Sequence, residues 1–473
     1  MEIPTRNTRS FTFQRPDVSR LRELGRKVIS QDDFLEHHGK LLDILKIDAT
    51  KGVLETLVQF YDRHCHCFTF PEYQLVPTLE DYSHLIGLPV LDEVPFSGLE
   101  LVPKHSTIAA ALHLKASSIR DNLIVKGSLS GFSVDFLYDQ ASIFEEAGAN
   151  SAFYSVLALL IYGLVLFPNV PNFVDIRAIQ VFLTKNPAPT LLANTYHSIH
   201  DRTLAGRGAI RCCAPLLYKW FVSHLPQPRA FIANLEGIPW SKKIMALAPS
   251  DIVWYHPIWD DGTVIISCGE YPNVPLIGME GGISYNPILA RRQLGYPMKT
   301  KPSGLALTNE FYCNDKDHLG KRGRFLQAWR GIHRLHRNQL GKRDDFMHGS
   351  YAQWVISQAV QNRMPYAVPR LVSATTPSSS LPLPSKTMGE HQEQLDSKVR
   401  EVATWKRKYE EALVMVKDRD EVIRKQHSEI RKQRQQMILR DAQIQAQSTR
   451  LSQFISARER RDFFVGTHLD DEE

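Results

Sequence analysis

The stretch Phe68-Thr-Phe-Pro-Glu-Tyr-Gln-Leu-Val-Pro-Thr-Leu-Glu-Asp-Tyr-Ser-His-Leu-Ile-Gly-Leu-Pro89 carries the densest local grammar in the chain. Between Phe68 and Tyr73 aromatic residues alternate with small or polar ones, the pattern of a half-buried extended segment. Pro77 ends that segment and holds Val76 away from helical angles. Thr78 then stands as an N-cap with Asp81 three residues on as its capping-box partner. Leu79, Tyr82, Leu85 and Ile86 form one apolar helix face. Gly87 and Pro89 stop the helix. So many agreeing signals mark a well-specified unit of structure. None is a signal of chemistry, so Phe68, Phe70, Tyr73, Leu79, Tyr82 and Leu85 are expected in the core.

Outward from this stretch the reading is mainly α. Residues 1–30, basic and carrying Pro4 and Pro16, read as a flexible arm that turns helical near Ser19–Val28. From Gln31, Phe34, Leu41, Leu42, Ile44 and Leu45, then Val53, Leu54, Leu57, Val58 and Tyr61, recur at helical spacing. Further helices are predicted from Ser106, over Ser133–Gly148, Val174–Lys185, Thr190–His200 and Arg211–Leu225, separated by Pro, Gly or Asn. The charge-free run Ala152–Phe167 is shorter than the about 20 residues a bilayer requires, so it reads as a buried central helix and not as a membrane span.

Between residues 248 and 302 Pro and Gly become dense, and Thr263-Val-Ile-Ile-Ser-Cys268 is a β-branched run with the character of a strand. This part reads as a small irregular α+β insert, with a short helix over Asn286–Leu294 capped by Asn286. Helical segments at Lys316–Leu340 and Tyr351–Asn362 complete a multi-helix globular domain over residues 31–362. Residues 363–390, rich in Pro and Ser, have linker composition.

Beyond the linker, residues 391–460 read as a long coiled-coil helix, followed by an acidic tail over 461–473. Leu395, Val402, Tyr409, Val416, Ile423, Ile430, Met437, Ile444 and Leu451 fall seven residues apart, with no Pro or Gly from Leu395 to Ala457. The companion row (Lys398, Trp405, Ala412, Arg419, Gln426, Gln433, Arg440, Gln447, Phe454) is polar except toward its ends. A polar seam weakens a coil and can select its partner. The same helix carries Arg424, Lys425, Arg431, Lys432 and Arg434, a two-part basic cluster with the form of a nuclear-import signal or of a solvated helix face.

Bulk properties narrow the field. The chain has 473 residues, is 43% hydrophobic and bears a net charge of +6, enough apolar material for a large core and a weak bias toward anionic partners. Its six cysteines lack the spacing of a disulfide framework, and the N-terminal residues contain no apolar signal core, which points to a reducing compartment. His64-Cys65-His66-Cys67 holds four residues of zinc-ligand type, but neighbours in an extended segment face opposite ways, and buried thiols explain the run equally. Asp260, Asp261 and Glu270 could form a carboxylate cluster, although Asp-Asp-Gly is first a turn. Asp251, Trp254, Tyr255 and His256 group an imidazole with aromatics, and Gly206-Arg-Gly208 with Arg202 and Arg211 could hold an anion. Of the two, the 248–302 region is the place where an activity is most expected. No phosphate-binding loop, nucleophile elbow or zinc-protease motif is present, and no cofactor is expected.

Four blocks carry a resemblance: Cys67 through Tyr82, Cys212-Cys213-Ala-Pro-Leu-Leu-Tyr-Lys-Trp-Phe, Asp251-Ile-Val-Trp-Tyr, and Pro272-Asn-Val-Pro-Leu-Ile-Gly with Gly281-Gly-Ile-Ser-Tyr-Asn-Pro. Together they resemble a large uncharacterised plant family, expanded in legumes and similar to the plant mobile domain proteins, which are transposon-associated and sometimes labelled aminotransferase-like. The resemblance covers roughly residues 20–360. It implies a mainly helical domain, a nuclear setting and no catalytic residues to carry over. The aminotransferase label has no support here, since no Lys stands in a pyridoxal-phosphate context. The expectation is therefore a non-enzymatic nuclear or cytoplasmic protein that pairs with itself or a partner through its coiled coil. The alternative is a domesticated transposon protein that binds nucleic acid through Arg6–Arg26 or Arg424–Arg440.

Overall fold

The computed structural model describes residues 8–366, apart from 257–261, 305–306, 308–310, 315–318, 344–346 and 348. The predicted linker 363–390 begins inside the described residues, where Met364 and Tyr366 are buried in the domain. The rest of it, the heptad row Leu395–Leu451, the basic cluster Arg424–Arg434 and the pair Asp260–Asp261 lie outside the described residues. Those described belong to one compact unit within Met1–Leu371. They contain seventeen α-helices and five sheets of two or three strands each. The domain is therefore helical with small sheets, and one hydrophobic cluster runs through it from Phe11 to Tyr366.

The charge-free run forms the helix Asn150–Ile161 and continues into a π-helical turn at Tyr162–Leu166. Every residue from Ala152 to Phe167 is buried, as a helix apolar on all sides requires. Gly163 admits the strand Phe173–Asp175, because a Cβ there would stand 2.5 Å from a Val174 methyl. Among the described residues no helix is long and apolar enough to cross a membrane.

The Phe68–Pro89 stretch is the hub of the domain. Tyr61–Asp62, Cys67–Thr69 and Gln74–Leu75 make a three-stranded antiparallel sheet, and the helix Leu79–Ile86 follows. Thr78 caps that helix with its hydroxyl on the Asp81 N–H, and the Asp81 carboxylate returns the bond to the Thr78 N–H. Gly87 closes it in the left-handed region at φ 68°. Phe68, Phe70, Tyr73, Leu79 and Tyr82 are fully buried, and Leu85 packs half-buried against them. Long-range bonds converge on this stretch. Gln293 clamps both backbone groups of Val76 (2.7 and 2.8 Å), and Tyr196 donates to Pro77 O. Tyr366 donates to Thr69 O and Tyr351 to the Gln74 side chain.

Several segments differ from the sequence reading. The expected flexible arm is docked over residues 8–30: Thr12–Phe13 pairs in parallel with Ala209–Ile210, Phe11, Phe13, Leu21, Leu24 and Val28 are buried, and only its helix, Ser19–Arg26, forms where the sequence predicts one. Its cations meet acids from elsewhere in the chain, Arg15 with Glu55, Arg20 with Asp135 and Asp139, Arg22 with Asp48, and Lys27 with Glu145. The strand Thr263–Cys268 forms over the predicted residues, but its partner, Ile332–His336, lies in a segment expected to be helical. The helix Leu319–Trp329 ends before it. Asn286 caps no helix. Its side chain donates to Cys65 O and accepts from Asn273, and a short 3-10 turn, Pro287–Ala290, replaces the expected helix. A sheet of Ile124–Lys126, Leu129–Ser133 and Phe173–Asp175 was not foreseen.

Candidate functional site

Of the four zinc-type residues, His64, Cys65 and His66 stand on a hairpin turn and Cys67 begins the strand that follows it. The turn at residues 63–66 joins two of the hub strands, and His66 occupies the left-handed region at φ 52°. His66 donates from Nδ1 to Ser284 O at 2.6 Å, its ring lies edge-on to His200 at 5.0 Å, and burial pushes its pKa down to about 3. It is a neutral ring whose proton is committed to a backbone carbonyl. The Cys65 thiol faces Gln358 and the Cys67 thiol faces Thr69. All six cysteines are buried free thiols, and desolvation raises those of Cys67 and Cys212 strongly and brings Cys213 and Cys268 up to about 12. Such thiols are poor nucleophiles and poor ligands. Among the described residues no group of three or more His, Cys, Asp or Glu is arranged to hold a metal.

Glu270 stands exposed on the turn after the strand Thr263–Cys268, and other candidates are engaged within the fold. Asp251 accepts the Ala248 N–H at 2.9 Å and closes a short turn, and the Trp254 indole donates to Pro249 O beneath the Arg292 guanidinium, 3.5 Å from the ring centre. His256 donates from Nε2 to Ser223 O, and Arg343 covers the Tyr255 ring. The anion held by Arg202 and Arg211 is the chain's own Glu280, at 3.9 and 2.8 Å. These groups serve the fold.

Sequence reasoning found Asp81 as a cap but missed what burial does to it. Its Oδ2 also accepts the Trp220 indole N–H at 3.1 Å, and desolvation pushes its carboxyl up to about 7. Its neighbour Glu80 accepts the Ile265 N–H at 2.9 Å and is raised by burial as well. These two carboxyls tie the Leu79–Ile86 helix to the strand Thr263–Cys268 and the helix Ala214–Ser223. Nothing local announces them, because the spacing of an amphipathic helix does not tell which polar face is buried.

A cavity of about 520 Å³ opens among the helices Gln31–His38, His105–Leu112, Asn150–Ile161 and Ile176–Thr184. Its volume falls within the range of small-molecule sites. Leu88, Ala111, Tyr162 and Phe182 line it, together with His37, His38, His113, Ser151 and Lys185. His38 stacks nearly parallel on Phe182 (13°, 6.4 Å), and burial, with help from His37 and Lys185, lowers its pKa to about 4. Chemically this is a mostly apolar recess edged by three imidazoles, the Asp33 carboxylate and the Lys185 ammonium. No motif predicted it, since its walls come from four separate helices.

The fold thus defines a class: a helical domain with small sheets, in which Glu80, Asp81, His66 and His224 hold backbone and indole groups by hydrogen bonds. The chain belongs to the DUF7745 family, described as a domain of unknown function, which matches residues 21–360. That span coincides with the stretch over which the sequence resemblance extends. No curated protein and no solved structure matches the chain.

Proposed function

We propose that the chain is a non-enzymatic interaction protein, a rigid helical domain joined by a linker to a coiled-coil tail that pairs with itself or with a partner helix. The observation that carries this reading is the row of nine apolar residues at period seven from Leu395 to Leu451. The domain adds support: its candidate acids and imidazoles hold backbone and indole groups in place. The resemblance to plant mobile domain proteins and the cluster Arg424, Lys425, Arg431, Lys432 and Arg434 support a nuclear setting. The competing nucleic-acid reading is weakened at the N-terminal arm, where Arg15, Arg20 and Arg22 stand beside acids, and rests on the remaining cations of Arg6–Arg26 and on Arg424–Arg440.

Light scattering on the eluting full chain tests the proposal against a double variant, Ile423→Pro with Ile430→Pro. The expected result is an oligomer for the natural chain and a monomer for the variant. One monomeric mass for both, with no helical partner bound, overturns it.

A further inference from the structure

We propose that Arg9 and Arg63 form a binding site for the phosphate group of a small phosphomonoester. The two arginines bound a recess of about 240 Å³, with Phe11, Val58, Gln59, Thr203 and Leu204 as its other walls. That lining holds two arginines and no acidic residue.

Arg9 is held in place from both sides. Gln59 accepts the Arg9 N–H at 3.2 Å and donates to its carbonyl at 2.6 Å, and Thr12–Phe13 is tied into a strand pair with Ala209–Ile210. The guanidinium lies over Gly206, the residue that ends the helix Pro187–Ala205 in the left-handed region at φ 72°. A Cβ at position 206 would stand 1.4 Å from Arg9 Nη1. The glycine therefore serves the helix end and seats the arginine in one stroke. Arg63 enters from the hairpin turn at residues 63–66.

The acids nearest in sequence to this recess are committed elsewhere. Glu55 pairs with Arg15 and accepts the Gly52 N–H, and Asp62 accepts the His64 and Cys65 N–H groups and the Asn362 amide. Asp201 and Glu280 pair with Arg202, and Glu280 with Arg211 too. Among the described residues no carboxylate pairs with Arg9 or Arg63. Two guanidiniums bordering one recess repel each other until an anion sits between them, and their planar forks match the oxygens of a phosphate. The apolar walls Phe11, Val58 and Leu204 suit the carbon body of a monoester. The recess is too small for a run of nucleic-acid backbone.

Isothermal titration calorimetry on the full chain tests the site, with inorganic phosphate and a hexose monophosphate as probes. Saturable binding of both is expected. Arg9→Gln and Arg63→Gln should each weaken it about tenfold or more, and Arg63→Lys should weaken it as well because it keeps the charge but loses the fork. Arg26→Gln, on the same arm but outside the recess, should bind as the natural chain does. Unchanged thermal unfolding of each variant separates lost binding from lost fold. No saturation by either probe up to about 10 mM, a concentration covering even millimolar affinity, overturns the proposal. Folded Arg9 and Arg63 variants with undiminished binding overturn it too, as does binding confined to a 5′-phosphorylated oligonucleotide.

Discussion

The buried carboxyls of Glu80 and Asp81, the buried imidazoles of His66 and His224 and the half-buried His200 sit in one hydrophobic domain, and burial disfavours the charged form of both sets, raising the carboxyls and lowering the imidazoles. Desolvation lifts Asp81 to about 7 and lowers His66 to about 3 and His200 and His224 to about 4. Their bonding differs as well. Asp81 and Glu80 together accept from Thr78 and Trp220 and from Ile265, joining a helix, a second helix and a strand. His66 and His224 each donate to a backbone carbonyl, of Ser284 and of Val253, and pack against neighbouring rings. The carboxyls specify which elements meet; the imidazoles complete the packing once they have met.

The largest expected effect lies on the acid side. Unfolded imidazoles titrate near 6.5, so between pH 6.5 and 4 the unfolded chain binds more protons than the folded one at His38, His66, His84, His200 and His224. Their contribution is complete above pH 6.5 and is lost as the pH falls toward 4. Asp81 works in the opposite sense: its folded pKa is raised, so its contribution is greatest below about 4 and is lost as the pH rises through 7. Glu80 and Asp62 follow Asp81 in direction. Five imidazoles outweigh these carboxyls, and stability should fall steeply from pH 6.5 to 4. Urea unfolding midpoints across that range measure it, and a midpoint that rises on acidification would reverse the assignment of the two sets.

Next in size is Asp81→Ala. It leaves the Thr78 N–H and the Trp220 indole N–H buried without their acceptor, at a cost of about 3 kcal/mol. Asp81→Asn keeps an acceptor oxygen and should cost clearly less, while removing the loss of stability between pH 4 and 7 that Asp81 itself causes. If Asp81→Ala is no more harmful than His224→Ala in the same denaturant titration, the claim that the carboxyls specify the topology fails.

How much of this was legible follows the range of each interaction. The capping box of Thr78 and Asp81 spans three residues, and the burial of 152–167 needs only the absence of charge, so both stand in the sequence in plain form. The strand Thr263–Cys268 declares itself through β-branching, but its partner at Ile332–His336 is some sixty residues away, and the run Ile-His-Arg-Leu-His does not distinguish strand from helix. The arm was read from its own charges, whereas its conformation is set by Gln59, Ala209 and Ile210 and by acids from Asp48 to Glu145. Asn286 has the composition of a cap, yet Cys65 O and Asn273 claim its amide. The Arg9–Arg63 recess has no motif at all, because it is assembled from an arm, a hairpin turn and a helix end.

The smallest effect sharpens the comparison at its most local bond. Thr78 Oγ1 accepts the Asp81 N–H at 3.0 Å, and the residue is fully buried, so water cannot replace the acceptor. Thr78→Ala should therefore cost about 1–2 kcal/mol, the upper part of the range for an N-cap. Thr78→Ser keeps the oxygen and loses one methyl, a change of about 1 kcal/mol or less by its transfer free energy. Because Asp81 remains in both variants, its bond to Trp220 should survive, and Asp81's own contribution to the pH dependence, the difference from Asp81→Asn between pH 4 and 7, should persist in each. A Thr78→Ala variant that also loses this pH dependence would mean that the cap, and not the buried carboxyl, holds the helix against its neighbours.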